Sequence, residues 1–233
     1  VLIKIPAAHR EVIVAKPNQF MIHAIQTFCS ELALEFTSIP EERKEALEKI
    51  AGYISEKLHK GMPVQLMYVC THNSRRSHFG QIWAQVAAAY FHVKGIHTFS
   101  GGTEVTAFHP NAIRALQRIG FDIRRVSGEI NPVYEVYYDL NEEPLTCFSK
   151  TYDDSFNPNT HVAAIMTCGD AEKNCPFIPG VELRIATPYK DPKESDHSPQ
   201  QDDMYHSCSR LIALESLYVF SKVNFKNDEK VFS

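Results

Sequence analysis

The sequence predicts an α/β fold: an open, mainly parallel four-stranded sheet flanked by helices, with an inserted β-hairpin and an N-terminal helical hairpin. Three observations carry this. Short apolar runs rich in strand formers, such as Val64–Cys70 and His161–Thr167, stop abruptly at polar loops. Helical stripes, such as Phe79, Ile82, Trp83, Val86, Ala87 and Tyr90, fall between them. Strand, helix, strand, helix is the order of right-handed crossover units and a parallel sheet.

The bulk properties bound the function. The 233 residues suffice for one large domain or a core domain with an appendage. A 44% hydrophobic, 22% charged composition is that of an ordinary globular chain. A formal net charge of −4 argues against a general nucleic-acid binder. No apolar run reaches the length of a membrane span, and the first residues lack a signal-peptide pattern. Six cysteines in this length are too sparse for a disulfide scaffold, so a reducing cytoplasm is expected.

In chain order, Met21, Ile25, Phe28, Leu32 and Phe36 recur at helical spacing from Asn18 onward. Ser38 and Glu41 have the spacing of a capping box for a second helix, which carries Leu47, Ile50, Ile54 and Leu58 and ends near Gly61. These helices make residues 1–60 an N-terminal helical extension, packed against the core or against another copy of the chain. Residues 61–233 are expected to form the main domain. Within it, Val64–Cys70 is a strand, the Phe79 stripe a helix, and Ile96–Phe99 a strand running into Ser100-Gly101-Gly102-Thr103. Pro110 opens a helix that Gly120 closes. Tyr134–Tyr138 and Leu145–Lys150 flank Asn141–Pro144 as a hairpin, expected at a sheet edge. His161–Thr167 and Val181–Ala186 are the remaining strands. A last helix carries Met204, Cys208, Leu211, Leu214 and Tyr218 at helical spacing.

The chemistry concentrates in Cys70-Thr71-His72-Asn73-Ser74-Arg75-Arg76-Ser77. A strand, a polar loop and a helix aim backbone N–H groups and a helix N-terminus at one point. A thiol is mostly protonated at neutral pH, and taking one from about 8.5 to about 5.5 requires roughly 4 kcal/mol. A helix N-terminus supplies at most about 2 kcal/mol. The remainder falls to the loop amides, the Arg76 charge and a hydroxyl donor, for which Ser77 is placed. Arg76 also suits bidentate capture of a tetrahedral anion. Arg75 adds positive charge and is free to face solvent. Asn73 tolerates a left-handed backbone.

This Cys70-x5-Arg76-Ser77 loop, with Asn73 and Ser74, resembles that of the low-molecular-weight protein tyrosine phosphatase superfamily. Thioredoxin-coupled arsenate reductases are the nearer match. They share the Cys-Thr-x-Asn-Ser-x-Arg-Ser loop, a later Cys-x6-Cys-Pro segment (here Cys168 to Cys175-Pro176) and an Asp-Pro pair (here Asp191-Pro192). Ser100-Gly101-Gly102-Thr103 is similar to the family's Ser-Ala-Gly-Thr turn. The likeness runs from Val64 onward. His72 stands where the family usually has Gly, and Arg75 where it often has Cys.

The resemblance implies catalysis by Cys70, Arg76, Asp191, Cys168 and Cys175. Thr71, His72, Asn73, Ser74, Arg75, Arg76 and Ser77 would bind an arsenate or phosphate-ester oxyanion. Cys70 would attack arsenate, Cys168 would attack Cys70 as arsenite leaves, and Cys175 would attack Cys168. Thioredoxin would reduce the resulting disulfide, and no bound cofactor or metal is implied. A tyrosine phosphatase acting through phosphocysteine is the alternative, although Lys193-Glu194 follows Asp191-Pro192 where those enzymes usually carry tyrosines. A non-catalytic anion-binding or redox-sensing module is the third reading. If residues 168–175 formed one helix, the two Cα atoms would lie about 10.5 Å apart, beyond the roughly 7 Å reach of a disulfide. The segment must therefore loop or unwind in turnover. Cys29, Cys147 and Cys208, in apolar stripes or a strand-like run, are expected to be structural.

Overall fold

A computed structural model describes residues 15–169, 178 and 180–224. The central sheet is formed by β1 (Val64–Cys70), β2 (Ile96–Gly102), β6 (Val162–Met166) and β7 (Val181–Ala186), in the order β2-β1-β6-β7. All three pairings are parallel. The chain leaves β1 to one side for β2 and later returns on its other side as β6. The gap between the C-terminal ends of β1 and β6 is therefore a topological switch point, where open α/β sheets bind ligands.

Side chains alternate across the sheet. Val64, Leu66 and Tyr68 of β1 enter a large apolar cluster shared with the helices, whereas Met67, Val69 and Cys70 join a smaller one with Val162, Ala164, Met166 and Cys168. Burial on both faces is why these strands read as continuous apolar runs.

The helices are α1 (His23–Ala33), α2 (Glu41–His59), α3 (Arg76–Tyr90), α4 (Pro110–Ile119) and α5 (Gln201–Ser221). α5 packs against all four others. Its residues 212–220 are buried on every side, so its apolar positions do not form one stripe. Leu211, expected inward, is exposed, and Tyr205 and Ile212 are buried instead. The helices α1 and α2 contribute Ile25, Leu32, Leu47 and Ile54 to the large cluster that also holds β1 and α3. Polar ties join them to α5: Arg43 grips Glu215 through two bonds of 2.8 Å, and Tyr218 donates to Glu48 at 2.6 Å.

Three local expectations are corrected. The first helix ends at Ala33, and Phe36–Ser38 is a separate 3₁₀ turn. Ser38 caps nothing: its hydroxyl donates back to the Glu35 carbonyl at 2.7 Å, and Pro40 occupies the N-cap of α2. The hairpin is not at the edge of the main sheet. Its strands, β4 (Val133–Tyr137) and β5 (Leu145–Cys147), join β3 (Asp122–Ser127) in a separate antiparallel sheet. β3 went unread because Asp122, Arg124 and Arg125 are exposed and leave no buried alternation to detect. Among the described residues no helix is long and apolar enough to cross a membrane.

Candidate active site

β1 carries Cys70 to the switch point and leaves its side chain 3% exposed. The turn out of the strand is tight because β2 ends directly beside it, with Cys70 opposite Gly102. A Cβ on Gly102 would stand 2.7 Å from Asn73 N, Glu104 O and Thr71 O, closer than any side chain tolerates. The glycine thus lets β2 buttress the loop. From there Thr103 N donates to Cys70 O at 3.3 Å and Glu104 N to Thr71 O at 2.8 Å.

Asn73 turns the loop back with φ of 42°, a left-handed conformation that asparagine adopts more readily than most residues. Its side chain then works in two directions. Oδ1 accepts from Lys150 N at 2.9 Å, and Nδ2 donates to Ser77 Oγ at 2.8 Å. Ser77 Oγ lies 3.1 Å from Cys70 Sγ. Because Ser77 accepts from Asn73, its own proton is available to the sulfur, the hydrogen bond that a thiolate accepts. α3 starts at Arg76 without a side-chain cap, so its first-turn amides remain available to an anion.

Arg76 Nη1 donates to the Tyr189 carbonyl at 3.0 Å and Nη2 to Asp191 Oδ2 at 2.5 Å. Asp191 also caps the 3₁₀ turn Pro192–Ser195, accepting from Lys193 N at 3.0 Å. Residues far apart in sequence thus meet at one point. Ser74 ties the loop to the segment before α4, donating to Ala107 O at 2.7 Å.

Cys168 lies two residues past the end of β6 and is 1% exposed. Its sulfur lies 3.5 Å from Thr71 Oγ1, on the residue after Cys70. Two hydrogen bonds from Thr167 to Val69 O, of 2.8 and 2.9 Å, align the two strand ends. Cys175 lies outside the described residues.

Two loop residues depart from expectation. Arg75 does not face solvent: it is buried, with Nε donating to Tyr205 Oη at 2.6 Å and Nη2 to Asp196 at 3.1 Å. His72 turns to the surface, its Nε2 3.4 Å from Glu104. Burial pushes the Cys147 and Cys208 thiols up to about 12 and raises that of Cys29 as well.

Sequence reasoning missed Tyr189, Asp196, Tyr205 and Lys150. None sits in a motif; only their tertiary partners distinguish them. Lys150 is buried, its ammonium 4.5 Å from the Phe148 ring centre and 5.3 Å from that of Phe156. Burial pushes its amine down to about 8. A cleft of 680 Å³ runs along the β2 edge past His92, His97, Tyr138 and Glu142, but no residue of the Cys70–Ser77 loop lines it. The chemistry and this groove are separate.

No protein-family model matches the chain. It is 26% identical over 115 residues to an arsenate reductase of Staphylococcus aureus (strain bovine RF122 / ET3-1), covering 49% of this chain and 67% of that protein. To the arsenate reductase of Bacillus subtilis (strain 168) it is 25% identical over 137 residues, covering 58% and 79%. Among solved structures, a low-molecular-weight phosphotyrosine phosphatase from Vibrio cholerae O395 overlays on 68% of this chain and 95% of its own, with 15% identity and a TM-score of 0.44. An oxidised-state arsenate reductase overlays on 69% and 98%, with 19% identity and a TM-score of 0.43.

Proposed function

We propose that the chain is an enzyme of the low-molecular-weight protein tyrosine phosphatase superfamily that reduces arsenate through a cysteine relay. One observation carries the reading: the Asn73–Ser77–Cys70 chain of hydrogen bonds, with Arg76 and Asp191 at the same loop and Cys168 against Thr71.

The Cys70 thiolate attacks arsenic while Arg76 and the amides of the loop and α3 hold the oxygens. Asp191 protonates the departing oxygen, which leaves as water. Cys168 as thiolate then attacks Cys70 Sγ. The sulfur–arsenic bond breaks with its electron pair on arsenic, which is reduced from As(V) to As(III) and departs as arsenite. A Cys70–Cys168 disulfide remains. Cys175 attacks Cys168, the Cys70 thiolate is restored, and thioredoxin reduces the Cys168–Cys175 disulfide. Thr71, the residue after Cys70, places its hydroxyl 3.5 Å from the Cys168 sulfur and so supports the approach of the second cysteine.

The same loop and Asp191 suffice for a phosphatase that hydrolyses a phosphocysteine. Lys193-Glu194 in place of tyrosines and the contact at Cys168 favour reduction. The test is thioredoxin-coupled arsenate turnover by wild type, Cys168→Ser and Cys175→Ser. The relay requires that either substitution stop multiple turnover. Aryl-phosphate hydrolysis by a wild type that turns over no arsenate would establish the phosphatase instead. Absence of both activities would leave an anion-binding module.

A further inference from the structure

The consecutive loop arginines hold opposite ends of one turn. Asp191 opens the 3₁₀ turn Pro192–Ser195 as its N-cap, and Asp196 closes it as the C-cap. Arg76 takes Asp191, and Arg75 takes Asp196. The second grip is the more elaborate. Tyr205 Oη donates to Asp196 Oδ1 at 2.8 Å while accepting from Arg75 Nε at 2.6 Å. Asn111 Nδ2 donates to the same Oδ1 at 3.2 Å. His109 Nε2 stands 4.0 Å from Oδ2, and its ring stacks on Tyr205 at 5.6 Å. Contacts from α4, α5 and the loop thus converge on one carboxylate. Burial pushes that carboxyl upward, but the Tyr205 bond and the Arg75 charge outweigh it and hold it below the usual carboxylate range.

The two grips cannot serve the same purpose. A tetrahedral anion on the Cys70 loop competes with Asp191 for the Arg76 guanidinium, so Arg76 is a poor tether when substrate is bound. Arg75 faces no such competition, because its Nε and Nη2 bond Tyr205 and Asp196 and it is 8% exposed.

We propose that Arg75 is a positioning residue that holds the Asp191 turn over the loop, through Asp196 and Tyr205, while Arg76 is engaged by the oxyanion. This rests on the reading of Asp191 as proton donor and of the loop as an oxyanion site. It also gives the arginine at position 75 a task distinct from anion binding. Misplacing a catalytic group by about 1 Å can cost up to about a hundredfold in rate, so a tether that acts only in the complex has a measurable purpose.

The test is amide hydrogen exchange across residues 191–196, with and without saturating inorganic phosphate, in wild type, Arg75→Ala and Arg75→Lys. The reporter amides are Glu194 N, bonded to Asp191 O at 3.3 Å, and Asp196 N, bonded to Lys193 O at 3.0 Å. In Arg75→Ala, phosphate should accelerate their exchange about tenfold, whereas wild type stays protected and Arg75→Lys falls between. Equal exchange in all three with phosphate, or an increase in Arg75→Ala that ignores phosphate, overturns the proposal. A merely structural arginine would give the second pattern. In turnover, Asp196→Asn should lower kcat about tenfold with KM little changed. A rise in KM alone would make this an anion-affinity effect and overturn the tether. A wild type inactive on both arsenate and phenyl phosphate, with phosphate still accelerating exchange in Arg75→Ala alone, would defeat the catalytic reading and leave the tether standing. Normal turnover with flat exchange would do the reverse.

Discussion

The loop end of the sheet and the helical side around α5 are both densely buried, but by opposite means. At the loop, Asn73, Ser74, Arg75 and Ser77 are buried polar residues, each with a named hydrogen-bond partner. Around α5, Trp83, Ile25, Leu32 and Leu217 are buried chiefly by apolar contact, with the Arg43–Glu215, Tyr218–Glu48 and Trp83–Ser209 contacts as polar exceptions. A buried polar group is tolerated only when its bonds are satisfied, so the loop specifies particular atoms at particular distances. The helical side specifies volume and tolerates a range of shapes. Function should therefore break at the loop and stability at the helices.

The sharpest break of that division is a pair of substitutions. Cys70→Ser should lower turnover on the order of 10⁴-fold or more, as loss of a nucleophile does, while the thermal midpoint moves little. Trp83→Ala should do the opposite, costing about 3–5 kcal/mol of stability through the cavity and the lost bond to Ser209. Activity per folded molecule should persist in that variant. Denaturation curves and kinetics on the same preparations check both, and a Cys70→Ser variant that retains turnover would move the chemistry elsewhere.

Glu215 tests where the two regions join. It accepts from Arg43 and, at 2.6 Å, from the Tyr189 hydroxyl, and the Tyr189 carbonyl in turn receives Arg76. Glu215→Ala leaves Arg43 facing a buried tyrosine with no carboxylate, at a cost of about 3 kcal/mol or more. Unlike Trp83→Ala, it should also lower kcat, because the carbonyl that seats Arg76 shifts. Unchanged kcat in the folded fraction would separate the helical side from the site altogether.

Lys150 provides a smaller, pH-dependent test. Its folded value of about 8 lies below the ordinary lysine value of 10.5, with burial the main cause. Between these values the unfolded chain binds the proton that the folded chain has released. Stability contributed by this group therefore rises as pH climbs from about 8 to about 10.5, and the burial penalty is fully present below 8. The expected span is about 3 kcal/mol. Urea unfolding of wild type and Lys150→Met across that window should show the rise only in wild type, and parallel curves would remove the assignment.

Much of this architecture was legible because it depends on local pattern. Val64–Cys70 reads as a doubly buried strand because all but Gln65 are apolar, and Gly120 marks the end of α4 because only its positive φ closes that turn cheaply. The loop was legible for a related reason: Ser77, which meets the Cys70 sulfur, and Asn73, which bonds Ser77, both lie within seven residues of Cys70. β3 was not, since its charged residues pair through backbone bonds that leave no side-chain signature. Nor was the fate of Arg75. An arginine beside an anion loop reads as charge for the anion or for solvent, and only α5 and the turn after Asp191 supply the Tyr205 and Asp196 that occupy it.

By itself, the sequence determined the parallel α/β class, the thiol and arginine of the loop, and the left-handed turn at Asn73, because each follows from residue type and short spacing. The tertiary structure decided which groups surround that loop. It set Cys168 beside Thr71, assigned Asp191 and Asp196 to successive arginines, and backed Arg76 with Tyr189. Those pairings span up to 121 residues of chain. Hydrogen bonds act over about 3 Å, so partners that far apart in sequence become partners only when the sheet order brings their elements to the same end.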